Sequence, residues 1–190
     1  MTREQAYKIL TTYIKNPNLI KHHLAAESVM RSLYLKLHPQ VPDPVIEEKW
    51  GIVGLLHDAD YELTRETPSR HTLVLEEKIG NELEPDVLHA IMAHNWDNNG
   101  IEPQSPMDWA MYCCDELTGL IIAAALVHPD KKLASLDAGF IMNRFNDNTF
   151  AKGAERSHIA QCTDKLGIPL MDFIDLSLKS MQNISGELGL

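Results

Sequence analysis

Between its proline clusters this chain consists almost entirely of segments whose apolar residues recur every three or four positions, with almost no strict alternation. That period belongs to a helix with one buried face and does not suit a half-buried strand. The punctuation is "NPN" at 16, "HPQVPDP" at 38, "TPSRH" at 67, "EPD" at 84, "EPQSP" at 102 and "HPDKK" at 128. The segments between them run to roughly 10 to 22 residues. The pattern predicts an all-α protein, a single-domain helical bundle over residues 1–190, with helices near 2–15, 18–37, 44–57, 70–82, 85–95, 106–127, 135–146, 152–166 and 170–184. Ser105 is a good N-cap, Pro106 a good first helical residue, and Asp108 places negative charge where the helix dipole favours it. "NNG" at 98 ends the preceding helix with residues tolerant of left-handed backbone. No repeat, low-complexity tract or Gly/Ser linker divides the chain.

Charge narrows the partners. A formal net charge of -10 leaves no basic footprint for duplex nucleic acid or an anionic membrane. A small anionic substrate stays open, because a bound metal can supply local positive charge. Cys113, Cys114 and Cys162 are too few for a disulfide framework and point to a reduced, cytoplasmic setting, with Cys113 and Cys114 as core filler. "MTREQAYKIL" lacks the apolar run of a secretory signal, and "LTGLIIAAALV" from Leu117, about half of a membrane span, reads as a buried helix.

Against that background the informative residues are polar ones on apolar faces. On the second helix Leu19, His22, Ala26, Val29, Leu33 and Leu37 form one stripe, which turns His22 inward, while His23 shares a mixed face with Glu27, Met30 and Tyr34. "GLLHDADYE" from Gly54 ends a core-like run in His57 and Asp58, both turned towards the core. Val87, Ile91 and His94 share a face, and Met111, Asp115, Thr118 and Ile122 put a carboxylate within an apolar segment. Such a group is costly unless it is paired or metal-bound. His71 opens its helix, where free amides beside an imidazole suit an anion. The spacing of these six residues is too long for a zinc finger, and no cysteine joins them. Imidazole and carboxylate on helices suit a catalytic ion such as Mn, Fe, Co, Ni, Zn or Mg, with positions left for water.

The order His22, His57-Asp58, Asp115, with "LLHDADYE" at its centre, resembles the HD-domain superfamily of metal-dependent phosphohydrolases, near its HDIG branch, over about residues 18–128, with residues 135–190 as a helical extension. The resemblance implies metal ligation by His22, His57, Asp58 and Asp115. The histidines of "SRHTLV" and "IMAHN", His71 and His94, match the extra pair of dinuclear members. Two departures are visible: Ala59-Asp60 stand in place of Ile-Gly, and Asn95 stands where some dinuclear members carry a further histidine.

The implied activity is hydrolysis of a phosphate ester or nucleotide phosphate by a metal-activated water. Asp58 would bridge two ions or, with one ion, His71 and His94 would contact phosphate or protonate the leaving group. The alternatives are a di-iron oxygenase of the same superfamily and a non-catalytic nucleotide-binding module. His23, His38, His89, His128 and His158 read as surface or packing residues. Arg144, Lys152 and Arg156 read as a solvated face, with the alternative that one of them reaches a substrate phosphate.

Overall fold

A computed structural model describes all residues 1–190 and contains helices and no strands. In chain order the helices are α1 (Arg3–Tyr13), α2 (Pro17–Leu37), α3 (Pro44–Leu56), α4 (Tyr61–Thr64), α5 (Leu73–Ile79), α6 (Pro85–Ala93), α7 (Trp96–Asn99), α8 (Pro106–Val127), α9 (Ala138–Phe145), α10 (Arg156–Leu166), α11 (Leu170–Asn183) and α12 (Ser185–Leu188). Every helix expected from the periodicity is present. The segment expected at 70–82 is shorter than expected: α5 covers its middle, with 3₁₀ turns at Pro68–Arg70 and Gly80–Glu82. The single-turn α4, α7 and α12 are too short to show a period.

Local chemistry sets the ends. Thr2 and Ser105 form capping boxes at α1 and α8, Asn16 and Asp43 cap α2 and α3, and proline opens α2, α3, α6 and α8. Gly100 ends α7 at φ 78, the left-handed backbone anticipated for "NNG".

Helix α2 is central, packing on α3, α8 and α11, and α8 in turn packs on α6 and α10. Its central place explains why the face of His23, Glu27, Met30 and Tyr34 is buried as well as the stripe through Ala26, Val29 and Leu33. His23 is therefore a core residue. Glu27 is tolerated inside because Arg3 and Arg31 both bond to it, at 2.7 and 3.0 Å. Helix α8 is long and apolar enough to cross a membrane, but most of it, including Cys113 and Cys114, lies in the core of the bundle.

Backbone approaches backbone closely where α2 meets α3. A Cβ built on Gly54 would lie 2.6 Å from the carbonyl of Ala26 and from the amide nitrogen of Glu27, so only glycine lets the helices meet at this depth. Ala26 is one helical turn beyond His22, and Gly54 is three residues before His57. The contact thus sets the distance between the two imidazoles.

Candidate metal centre

The six residues singled out by their helical faces converge on one cleft. His22 projects from α2, His57 caps the C-terminus of α3, and Asp58 follows in the turn. His71 lies just before α5, His94 caps α6, and Asp115 comes from the middle of α8. They form two groups, His22, His57, Asp58 and Asp115, and Asp58, His71 and His94. Within each group the candidate ligand atoms lie within 4.8 Å of one another. Asp58 belongs to both.

In the first group His22 Nε2 is 3.0 Å from Asp115 Oδ1 and 3.1 Å from His57 Nε2, and His57 Nε2 is 3.4 Å from the same Asp115 oxygen. In the second, Asp58 Oδ1 lies 2.8 Å from His71 Nε2 and 3.1 Å from His94 Nε2, with the two imidazole nitrogens 3.2 Å apart.

The far side of each ring explains why these nitrogens meet. His57 Nδ1 donates to the Gly54 carbonyl at 2.8 Å and His94 Nδ1 to the Ile91 carbonyl at 2.5 Å. His71 Nδ1 donates to Asp60 at 2.7 Å. The Thr118 hydroxyl donates to the Asp115 carbonyl, which leaves its oxygen to accept from His22 Nδ1 at 3.3 Å. With all four Nδ1 atoms serving as donors, the neutral rings direct four Nε2 lone pairs into the cleft. Lone pairs facing each other at 3.1 to 3.2 Å repel unless a proton or a cation lies among them. Three or four nitrogen and oxygen donors per group fit a divalent ion.

The electrostatics carry the same demand. Burial opposes charge on His71, but its bonds to Asp58 and Asp60 outweigh this and push its pKa up to about 10. Burial likewise opposes ionisation of Asp58 and Asp115, yet the histidines around them hold both well below the usual carboxylate range. Without an ion, His71 therefore carries a proton on Nε2 that an ion must displace. Ion uptake at pH 7 to 8 should release a proton, and affinity should rise about tenfold per pH unit up to about pH 10. Calorimetry in two buffers of different ionisation heat reads this directly, and uptake with no proton released would exclude His71 as a ligand.

The ion-free fold has the opposite sign. His71 contributes stability that is fully present below its unfolded value of about 6.5 and is lost as pH rises through about 10.

The cleft has a volume of about 200 Å³. At Asp97, Tyr112 and His158 it opens into a trough of about 730 Å³ lined by Trp96, Trp109 and one face of α10. His158, read from sequence as surface or packing, packs on Tyr112 with centroids 4.4 Å apart and the rings tilted by 30°, and places Nε2 2.8 Å from Asp97. Glu116, not singled out in the sequence, also lines the cleft, where burial and then the charge of Asp115 push its pKa up to about 7.

No family model, no curated protein and no solved structure matches this chain.

Three other expectations resolve as follows. Two amides at the start of α5, those of Thr72 and Leu75, donate to Asp60, so a carboxylate of the chain takes them in place of an external anion. Arg156 is committed to carbonyls of the loop before α10, among them Ala151 and Phe150, and Arg144 sits over the rings of Phe140 and Phe150, so neither reaches the cleft. His89 is tied to Asp108 at 2.9 Å and links α6 to the start of α8.

Proposed function

We propose that this protein is a metal-dependent phosphohydrolase of the HD type, acting on the phosphate ester of a small organic alcohol, with nucleotides among the candidates. The observation that carries the reading is the shared Asp58: one carboxylate stands between two groups of imidazoles, all of whose Nε2 atoms face inward. In this reading His22, His57, Asp58 and Asp115 hold one divalent ion and Asp58, His71 and His94 a second. When bound, such ions supply Lewis acidity toward a phosphoryl group and lower the pKa of water.

The chain's own residues then divide the remaining work. The Nδ1 anchors hold the rings in a single tautomer, so little reorganisation accompanies the reaction. The cleft admits the phosphoryl group, and the trough takes the organic half against Trp96 and Tyr112. Among the residues lining cleft and trough Lys165 is the only Lys or Arg, and its Nζ sits 4.4 Å from the centroid of Trp109. That supply of positive charge suits a single phosphate better than a triphosphate. His158, at the junction of the two cavities, is placed to hand a proton to the departing alcohol oxygen.

The test is metal analysis of protein purified without chelators, followed by a broad panel of phosphate esters assayed with Mn, Co, Ni, Zn and Mg. Expected are about two ions per chain and turnover of monophosphates in preference to triphosphates. No turnover with both ion groups filled would overturn the reading, and iron with dioxygen consumption would replace it by an oxygenase. His158→Gln should slow esters of poor leaving groups more than those of good ones.

A further inference from the structure

We propose that Asp60 is the positioning residue that makes His71 an Nε2 ligand, so that the second ion, and not the first, depends on it. The inference rests on the two-ion reading of the cleft. Asp60 occupies the place of the glycine in the His-Asp-Ile-Gly motif and is fully buried, with no Lys or Arg among its partners. A carboxylate in that position is costly unless its oxygens are satisfied. Here Oδ1 accepts from His71 Nδ1 at 2.7 Å and from the Thr72 amide at 3.2 Å, and Oδ2 accepts from the Leu75 amide at 3.0 Å.

The reason for a side chain here lies in the backbone. His57 and His94 each cap a helix, and each ring donates to the carbonyl three residues earlier, Gly54 and Ile91. His71 follows a 3₁₀ turn instead. The carbonyl three residues before it, Pro68, already accepts the His71 amide at 3.1 Å and the Asn95 side chain at 3.2 Å. Asp60 replaces the missing carbonyl. Since both of its backbone partners can only donate, its oxygens are fixed as acceptors, and the His71 ring must present N–H at Nδ1 and a lone pair at Nε2. Asparagine cannot substitute: one acceptor oxygen cannot serve the ring, Thr72 and Leu75 together, and its amide would set a donor against a donor.

The experiment titrates the metal-free full-length protein with Mn²⁺ in a calorimeter, comparing wild type with Asp60→Asn. Expected are two ions on the wild type. On the variant the first should bind with unchanged affinity and the second be weakened about 10- to 100-fold, the usual effect of removing a ligand's hydrogen-bond partner. A purely structural role would instead lower the melting temperature and weaken both ions together, which overturns the proposal.

Because Asp60 also holds two amides of the α5 turn, a second measurement avoids the variant. ¹⁵N-histidine spectra of Zn²⁺-loaded wild type should show His71 protonated at Nδ1 and coordinated through Nε2. Coordination through Nδ1, or two ions bound normally by Asp60→Asn, overturns this inference alone. A wild type that takes up only one ion overturns the two-ion reading and this inference with it.

Discussion

Asp58→Ala should abolish binding at both ion groups and reduce phosphate ester hydrolysis by about a thousandfold or more, while the helical content stays intact. The size follows from what the ions contribute: Lewis-acid stabilisation is worth several kcal/mol, and about 4 kcal/mol corresponds to a thousandfold in rate. The breadth follows from geometry, because Asp58 is the one residue common to both groups. His94→Ala provides the contrast, since it should weaken only the group containing His71 and Asp58. Metal stoichiometry and single-turnover rates measured on the two variants check this. An Asp58→Ala protein that still turns over substrate within tenfold of wild type would refute the assignment.

Gly54→Ala should be the most damaging single methyl group in the protein. Overpacking a core typically costs about 1 to 3 kcal/mol when side chains can give way. Here the obstruction is the backbone of α2, 2.6 Å from the added carbon, so the cost should reach about 3 kcal/mol or more. For a domain of this size that lowers the melting temperature by about 6 to 12 °C. The same displacement should separate His22 from His57, and the ion held between them should weaken even at temperatures where the variant is fully folded. Gly51→Ala is the side-chain counterpart: its added carbon meets the guanidinium of Arg31, held by Glu27 and Glu48, so it should strain that ion-pair contact, cost less than Gly54→Ala and leave the ion affinity unchanged. Thermal unfolding by circular dichroism with and without Mn²⁺ distinguishes the two. Equal melting temperatures would show that α2 and α3 are not held as tightly as the backbone contact implies.

The ligand-type residues were legible in the sequence for a simple reason. His57, His94 and Asp115 interrupt apolar faces, and a polar group on such a face must be satisfied by something. His22 was found by the same test, although its neighbour His23 is the more deeply buried of the two, because a helix packed on several sides has no mixed face to set aside. At the start of α5, where an anion was expected, periodicity does not reveal which side chain reaches a free amide first. Asp60, eleven residues before His71, had already taken two of them. Asp60 itself was visible only as a departure from a motif, and its value depends on a 3₁₀ turn with no period to detect. His158 and Glu116 were invisible for a different reason. What places them is the packing of α10 on α8, a tertiary contact across some forty residues of chain. Arg156 looked free because nothing in a sequence marks the backbone carbonyls of a loop as its acceptors.

The candidate ligands arise from five separate stretches of chain, the first at His22 and the last at Asp115, with α2, α3, α6 and α8 all contributing. During synthesis, therefore, a chain that has emerged only as far as α7 carries scattered histidines with no carboxylate from α8 to gather them around the first ion. In the two-ion reading, loading would have to wait for the docking of α8, and from then on the ions and the fold would stabilise one another. A free ion at a hundred times its dissociation constant adds about 2.7 kcal/mol against unfolding. Scarcity of metal would then shorten the lifetime of the protein as well as slow its chemistry, and the pool of folded chains would follow the supply of the ion.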